Sequence, residues 1–527
     1  MMTHELLFDM PLLPHLIMNG LKRYDDRPFV FLGDEVVTYQ EVRDKTSRFA
    51  QALQSKGVRQ GARVALISAN RAEVLYQIFA NMAVGVVYTP LHPMGSLDDH
   101  AYVLEDAEVD TLVFDPSLFQ QRAAELKERV PGLKNLLALG PTEVGEDLTE
   151  IAEQFEAKPL AAPDIRPNDL NTIVYTGGTT GRPKGVRQPY RAAAYMTMVQ
   201  MAEWEWPEEM RFLIATPLSH AAAAFVVPTL QSGGAFVVLP GFTPDLYFDA
   251  VEKHRITSTF LVPAMIYPLL DHPRATTADL SSMETLFYGA APMSAARLKE
   301  GLEKWGPIFF QCFGQSEAPM AITHLKKSEH DLSKPERLSS CGRPSPWVHI
   351  ALLGDDSRPV PEGESGEICV RAPFVMEGYN KLPEQTAEAF AGGWLHTGDV
   401  GRYDEEGFLY IVDRKKDMIV TGGFNVFPRE IEDVIAAHPA VGQVAVVGVP
   451  DDKWGESVKA LVVLRPGQEG SEQLASDLKA AVKEAKGSVQ SPKSVDFVAS
   501  LPLSPLGKPD KKALRKQYWG DRERGVN

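Results

Sequence analysis

Tyr175-Thr176-Gly177-Gly178-Thr179-Thr180-Gly181-Arg182-Pro183-Lys184-Gly185 follows the strand-like run Thr172-Ile173-Val174-Tyr175, so a strand end opens into a glycine-rich loop. Closely spaced glycines let a backbone take positive φ and turn its N–H groups toward anionic oxygens. Thr176, Thr179 and Thr180 add hydroxyl donors, and Lys184 adds a positive charge. The stretch reads as a grip on polyphosphate; a plain surface turn, the competing reading, would need only one or two of these residues. It is not a Walker loop, because Lys184 is preceded by Pro183 and followed by Gly185, leaving no Ser or Thr for magnesium.

A chain of 527 residues exceeds one ordinary core, so two or more domains are expected, and 44% apolar content is ample to bury them. Seventy acidic against 54 basic residues give a net charge of −16, which argues against nonspecific binding to nucleic acid or anionic membrane. Any phosphate site must then be local. Cys312, Cys341 and Cys369 form a sparse, odd set without metal-ligand spacing, as expected of a reducing, cytoplasmic setting. Residues 1–20 carry Glu5, Asp9, Pro11 and Pro14 and lack the basic start and apolar run of a secretion signal. The apolar run 221–230 contains Pro228 and is about half the roughly 20 residues of a membrane span, so no transmembrane segment is expected.

Residues 29–39 read as a hairpin around Gly33-Asp34, and Thr38-x-x-Glu41 offers a capping box for a helix carrying Val42, Phe49 and Leu53 on one face. Residues 63–68 are strand-like, 72–84 helical and 86–89 strand-like; the alternation resumes at 112–114, 212–215, 235–239, 244–253 and 258–262. This predicts a layered α/β body with mostly parallel sheets. His220 opens the run Ala221-Ala222-Ala223-Ala224 after a strand end, where ligand crevices form in α/β proteins; a satisfied structural histidine is the alternative. Tyr288-Gly289-Ala290-Ala291-Pro292 follows another strand end and would let a flat ring lie against backbone, or would simply be a tight turn into a helix.

Taken with Gln311-Cys312-Phe313-Gly314-Gln315-Ser316-Glu317, Trp394-Leu395-His396-Thr397-Gly398-Asp399, Asp413-Arg414-Lys415-Lys416-Asp417, Thr421-Gly422-Gly423-Phe424-Asn425-Val426 and Ser504-Pro505-Leu506-Gly507-Lys508, the glycine loop resembles, in order, the motifs of the adenylate-forming superfamily. That superfamily comprises acyl-CoA synthetases, the adenylation domains of peptide synthetases and beetle luciferases. Gly177 stands where its loop usually has serine, which removes one hydroxyl but keeps the backbone cradle. The resemblance implies an N-terminal body, residues 1–414, and a small mobile C-terminal α+β lid, residues 415–527, hinged at Lys416.

It also implies roles. Thr176, Gly177, Gly178, Thr179, Thr180, Gly181 and Lys184 would bind phosphates, and Gly289, Ala290 and Ala291 would form the adenine turn. Phe313, Gly314 and Ser316 depart conservatively from Tyr-Gly-x-Thr, keeping a stacking face and a hydroxyl, and Glu317 would be the magnesium ligand, a hard oxygen for a hard cation. Asp399 would accept both ribose hydroxyls, Arg414 would contact the nucleotide, Gly423 would leave room for the pantetheine arm, and Lys508 would be the catalytic cation. His220, Ala221, Ala224 and Tyr288 resemble the wall of the acyl pocket, with no proton-transfer role assigned to His220. Gly366-Glu367-Ile368-Cys369-Val370 and Tyr379-Asn380 match landmarks of mainly structural character.

The implied activity is that of an AMP-forming acyl-CoA synthetase, a ligase forming a carbon–sulfur bond from a small-molecule carboxylic acid, ATP, Mg2+ and coenzyme A. A medium- or long-chain fatty acid or a bulky ring-bearing acid is favoured, and an aryl acid is the close runner-up. Amino-acid adenylation and a luciferase-like oxygenation are the alternatives within the superfamily. A noncatalytic ATP sensor is the alternative of a different class, and it would have little use for Lys508 on a moving lid.

Overall fold

Along a strand covered on both faces, successive side chains enter different cores. The computed structural model describes residues 10–176, 182–414, 417–421, 424–451, 453–503 and 509–520. In it, Phe212 and Ile214 of the strand Arg211–Ile214 enter one core while Leu213 enters another. Val64 and Leu66 of Arg63–Ile67 share that first core, and Ala65 and Ile67 of the same strand enter a third. Two sheets thus face each other across a shared core, to which the helices Tyr39–Ser55 and Ala72–Val84 contribute.

Among the described residues the first sheet has nine strands, parallel from Pro28–Leu32 across to Phe309–Gln315 and antiparallel at both edges. The second has eight, with Val87–Pro90, Arg63–Ile67, Thr111–Phe114 and Asn135–Ala138 parallel. It turns antiparallel where Leu170–Thr176 returns as Lys184–Pro189. A mixed α/β body with mostly parallel sheets is the fold the alternation predicts. The Thr38/Glu41 capping box forms, with Glu41 Oε2 accepting from Thr38 N at 2.7 Å and Thr38 Oγ1 accepting from Glu41 N at 3.3 Å. The helix Ala72–Val84 occupies the residues expected of it.

The alternation gave no sign of the third sheet. His349–Leu353, Gly366–Arg371, Leu395–Tyr403 and Leu409–Arg414 form a four-stranded antiparallel layer. The fourth sheet has five strands between Ile419–Thr421 and Ser494–Phe497 and belongs to the smaller C-terminal unit. Val446, Val458 and Val462 pack there on Ile431, Ile435, Leu478 and Val482 of two helices, while Ala445, Val447 and Leu461 face Leu514 on the other side. No helix among the described residues is long and apolar enough to cross a membrane.

Candidate active site

The glycine loop begins and ends on one hairpin, where Thr176 pairs with Lys184 and Tyr175 with Gly185. Gly185 has a steric cause: a Cβ there would lie 2.9 Å from both the Tyr175 ring and Ile173. Tyr175 OH donates to Asp106 Oδ2 at 2.5 Å, and Asn380 Nδ2 donates to the same oxygen at 3.0 Å. Because Asn380 N also donates to Gly185 O at 2.7 Å, one buried asparagine ties down both ends of the loop.

Gly289 and Cys312 are paired neighbours at the ends of the parallel strands Thr285–Gly289 and Phe309–Gln315. A Cβ on Gly289 would stand 2.2 Å from Cys312 O, so only glycine lets these strands pair. Ala290 takes φ +62°, a left-handed strain that keeps the turn after Gly289 tight. Gly314 faces a similar limit, since its Cβ would meet Met320 N at 2.1 Å. Glu317 sits just past this turn, its backbone carbonyl accepting from Met376 N at 2.8 Å, and the Gln188 side chain donates to Ser316 O. The half-buried Glu317 carboxylate accepts from Tyr379 OH at 2.9 Å, and Lys184 Nζ lies 5.0 Å from the centroid of the Tyr379 ring. Burial, reinforced by Glu317, holds the Tyr379 phenol well above its ordinary range, so it stays a donor.

Asp399 and Arg414 are cross-strand partners joined at 3.2 Å, with Asp399 only 5% exposed. The Asp399 carboxylate holds the Arg414 guanidinium above its usual range, and Asp417 and Glu317 add to the effect, so Asp399 and Glu317 act on one guanidinium. Gly398, at φ +72°, shapes the turn before Asp399. Glu367 fastens that turn by accepting from Gly398 N at 3.1 Å and lying 3.2 Å from His396 Nδ1. The next residue from Arg414 toward the N-terminus, Asp413, is 6% exposed, and burial pushes its carboxyl up to about 6 against the opposing pull of Lys511.

His220 starts the short 3-10 turn Ala221–Phe225, whose last ring packs on Phe212, Phe260 and Phe287 at centroid separations of 5.0, 5.1 and 5.2 Å. This gives the alanine row a rigid apolar floor. His220 Nδ1 lies 2.9 Å from Ser219 Oγ, and His92 packs edge-on at 4.6 Å. Burial first, then His92, pushes the His220 imidazole down to about 3. It is therefore neutral near pH 7.

Thr176, Lys184, Gly289, Ala290, Ala291, Phe313, Gly314, Ser316, Glu317, Asp399 and Arg414 all lie at these strand ends and turns. Tyr288 does not line the pocket. Its side chain is 1% exposed, belongs to the core on the far side of its strand, and bonds His330 Nε2 at 3.0 Å, because strand alternation sends Phe287 and Tyr288 to opposite faces. Gly177, Gly178, Thr179, Thr180, Gly181, Lys416, Gly423 and Lys508 lie outside the described residues. Sequence reasoning missed Tyr379, Asn380 and Asp106 as parts of the site, although Tyr379-Asn380 had been noted as a landmark.

A glycine hairpin, a tight small-residue turn, a placed carboxylate and a buried acid–arginine pair thus stand at one group of strand ends. Residues 19–380 match the family described as AMP-binding enzyme, and residues 430–508 match the AMP-binding enzyme C-terminal domain. The chain belongs to this AMP-binding, adenylate-forming family. It is 51% identical over 522 residues to the medium/long-chain-fatty-acid–CoA ligase FadD8 of Mycobacterium tuberculosis, covering 97% of this chain and 91% of the relative. It is 35% identical over 490 residues to a feruloyl-CoA synthase of an Amycolatopsis species, covering 92% and 95%. The solved amide bond synthetase McbA of Marinactinospora thermotolerans superposes with a TM-score of 0.87 at 35% identity, covering 96% of this chain and 99% of that one.

Proposed function

We propose that this protein is an AMP-forming acyl-CoA synthetase that activates a hydrophobic carboxylic acid, a medium- or long-chain fatty acid before an aryl acid, and passes the acyl group to coenzyme A. The observation that carries the reading is the grouping of Glu317, Lys184 and the Asp399–Arg414 pair around one set of strand ends, beside an apolar wall of alanines over Phe225. The fatty-acid preference is supported by the 51% identity to a medium/long-chain-fatty-acid–CoA ligase. A sparse set of three cysteines, all buried, fits the reducing, cytoplasmic setting we assign to it.

A carboxylate attacking the α-phosphorus of ATP brings two anions together, so the catalyst must mainly neutralise charge and align the reactants. Lys184 and the loop N–H groups are assigned to the phosphates, Asp399 to the ribose hydroxyls and the Gly289 turn to the adenine face. Glu317 fits a magnesium site: it is a carboxylate with one oxygen oriented by Tyr379 and lone pairs left on both, the hard donor that cation prefers. When bound, the ion would neutralise phosphate charge. Lys508 is assigned the cation that touches both carboxylate and α-phosphate, and a charge about 4 Å away contributes roughly 4 kcal/mol at an effective dielectric of 20. Pyrophosphate leaves, and the acyl-AMP then meets the thiol along a path the lysine must vacate. We assign the domain boundary to residues 414–415 and the hinge to Lys416, between strands of the third and fourth sheets, with Gly423 presented for the second step.

A panel of fatty, aryl and amino acids assayed for AMP release with and without CoA tests this reading. The expected result is CoA-dependent AMP release that is greatest with medium or long fatty acids. Release that demands an amine in place of CoA would replace the thioester by an amide product.

A further inference from the structure

The Tyr379 side chain stands between two opposite charges. Its hydroxyl engages Glu317 Oε1 at 2.9 Å, its ring carries Lys184 Nζ at 5.0 Å, and no ion pair joins Lys184 to Glu317 among the described residues. A lysine and a carboxylate free to meet would pair directly, and MgATP would first have to separate them.

The position of the ring is fixed by the backbone around it. Tyr379 pairs with Val186 on the phosphate hairpin, and Tyr379 N donates to Thr386 Oγ1 at 2.9 Å. The next residue, Asn380, holds Gly185 O and Asp106. Gly378 completes the anchor, since a Cβ there would approach Thr386 to 2.6 Å. The hydroxyl therefore reaches Glu317 from a short segment whose backbone is pinned to the same hairpin that supplies Lys184.

We propose that Tyr379 is a positioning residue that keeps the phosphate lysine and the metal carboxylate apart and separately oriented before nucleotide arrives. The inference rests on Glu317 being the magnesium-binding acid and Lys184 a phosphate contact. The hydroxyl acts as an outer partner of the ligand carboxylate, and loss of such partners weakens metal binding by roughly tenfold to a hundredfold. The ring acts as a spacer and a cation platform.

Two substitutions separate the hydroxyl from the ring. Tyr379→Phe should weaken Mn2+ binding, read from the electron paramagnetic resonance of free Mn2+ in the presence of α,β-methylene-ATP, by roughly tenfold or more. Its activity should fall at limiting Mg2+ and recover as Mg2+ is raised, a dependence that a merely structural tyrosine would not give. Tyr379→Leu should in addition lower affinity for the nucleotide analogue, since the ring no longer separates Lys184 from Glu317. Glu317→Gln is the control. If it binds Mn2+ as the unsubstituted protein does, the assignment of Glu317 fails and the inference falls with it. If Glu317→Gln loses Mn2+ while Tyr379→Phe retains it unchanged, the inference alone is overturned. A kcat loss in Tyr379→Phe that no Mg2+ concentration restores would also overturn it, as the mark of a merely structural tyrosine. Should Tyr379→Leu fail to fold, the Phe variant and the control still decide.

Discussion

Replacing Asp413 by asparagine should change how stability depends on pH. Asp413 is the penultimate residue of the strand Leu409–Arg414; its Oδ1 accepts from Arg414 N at 2.6 Å and its Oδ2 from Arg429 N at 2.9 Å. Lys511 and Glu432, themselves paired at 2.7 Å, complete its charged surroundings. Burial pushes the Asp413 carboxyl up from 3.8 to about 6. The folded protein therefore binds a proton on Asp413 that the unfolded chain releases, so this group's stabilising contribution is full below about pH 4 and is lost as pH rises through about 6. A shift of roughly two pH units corresponds to about 3 kcal/mol in all, of which about 2 kcal/mol develops between pH 7 and pH 4.5. The Asp413→Asn variant lacks this titration, so the unsubstituted protein should gain on it by about 2 kcal/mol over that range. Urea unfolding of both proteins at four pH values across the range measures the difference. Parallel stability curves, or a change of the opposite sign on acidification, would refute the argument.

Further predictions concern the lid, the adenine turn and the acyl wall. Lys508→Ala should slow acyl-AMP formation by on the order of a hundredfold or more while still passing supplied acyl-AMP to CoA, and Lys416→Pro should do the reverse, as separate half-reaction assays would record. Gly289→Ala should lower stability by about 1–3 kcal/mol and weaken ATP binding, because its Cβ would sit 2.2 Å from Cys312 O; thermal unfolding and nucleotide titration check both effects. His220→Ala should leave the pH–rate profile unchanged between pH 6 and 8, since the imidazole titrates near 3, while shifting the preferred acyl chain toward bulkier acids.

Where chemistry demands particular side chains at fixed spacing, the site was legible in the sequence. The glycine hairpin, the Gly289 turn, Glu317 and Asp399 each stand out because the ligands we propose for them, phosphate, adenine, magnesium and ribose, would restrict what can stand beside them. The parallel strands were readable from short apolar runs such as Phe212-Leu213-Ile214 alternating with helical stretches; which core each side chain enters was not. Tyr288 was misread because Phe287 and Tyr288 are both aromatic, and nothing in that pair says which one faces the pocket. The brace of Asp106, Tyr175 and Asn380 joins residues 69 and 274 positions apart, and no local pattern encodes that meeting. The four-stranded antiparallel layer was missed for a related reason. Its strands are separated by turns and a short helix, Pro383–Ala389, with no helix-and-strand rhythm to mark them.

The central claim is that a carboxylic acid is made reactive by joining it to AMP before a thiol displaces the nucleotide. Incubating the protein with ATP, Mg2+ and a medium- or long-chain fatty acid, with mass spectrometry before and after CoA is added, tests it most directly. An acyl-adenylate and pyrophosphate should form first, and CoA should then convert the adenylate to acyl-CoA with release of one AMP per thioester. ADP and phosphate as products, or no adenylate from any acid supplied, would contradict the account.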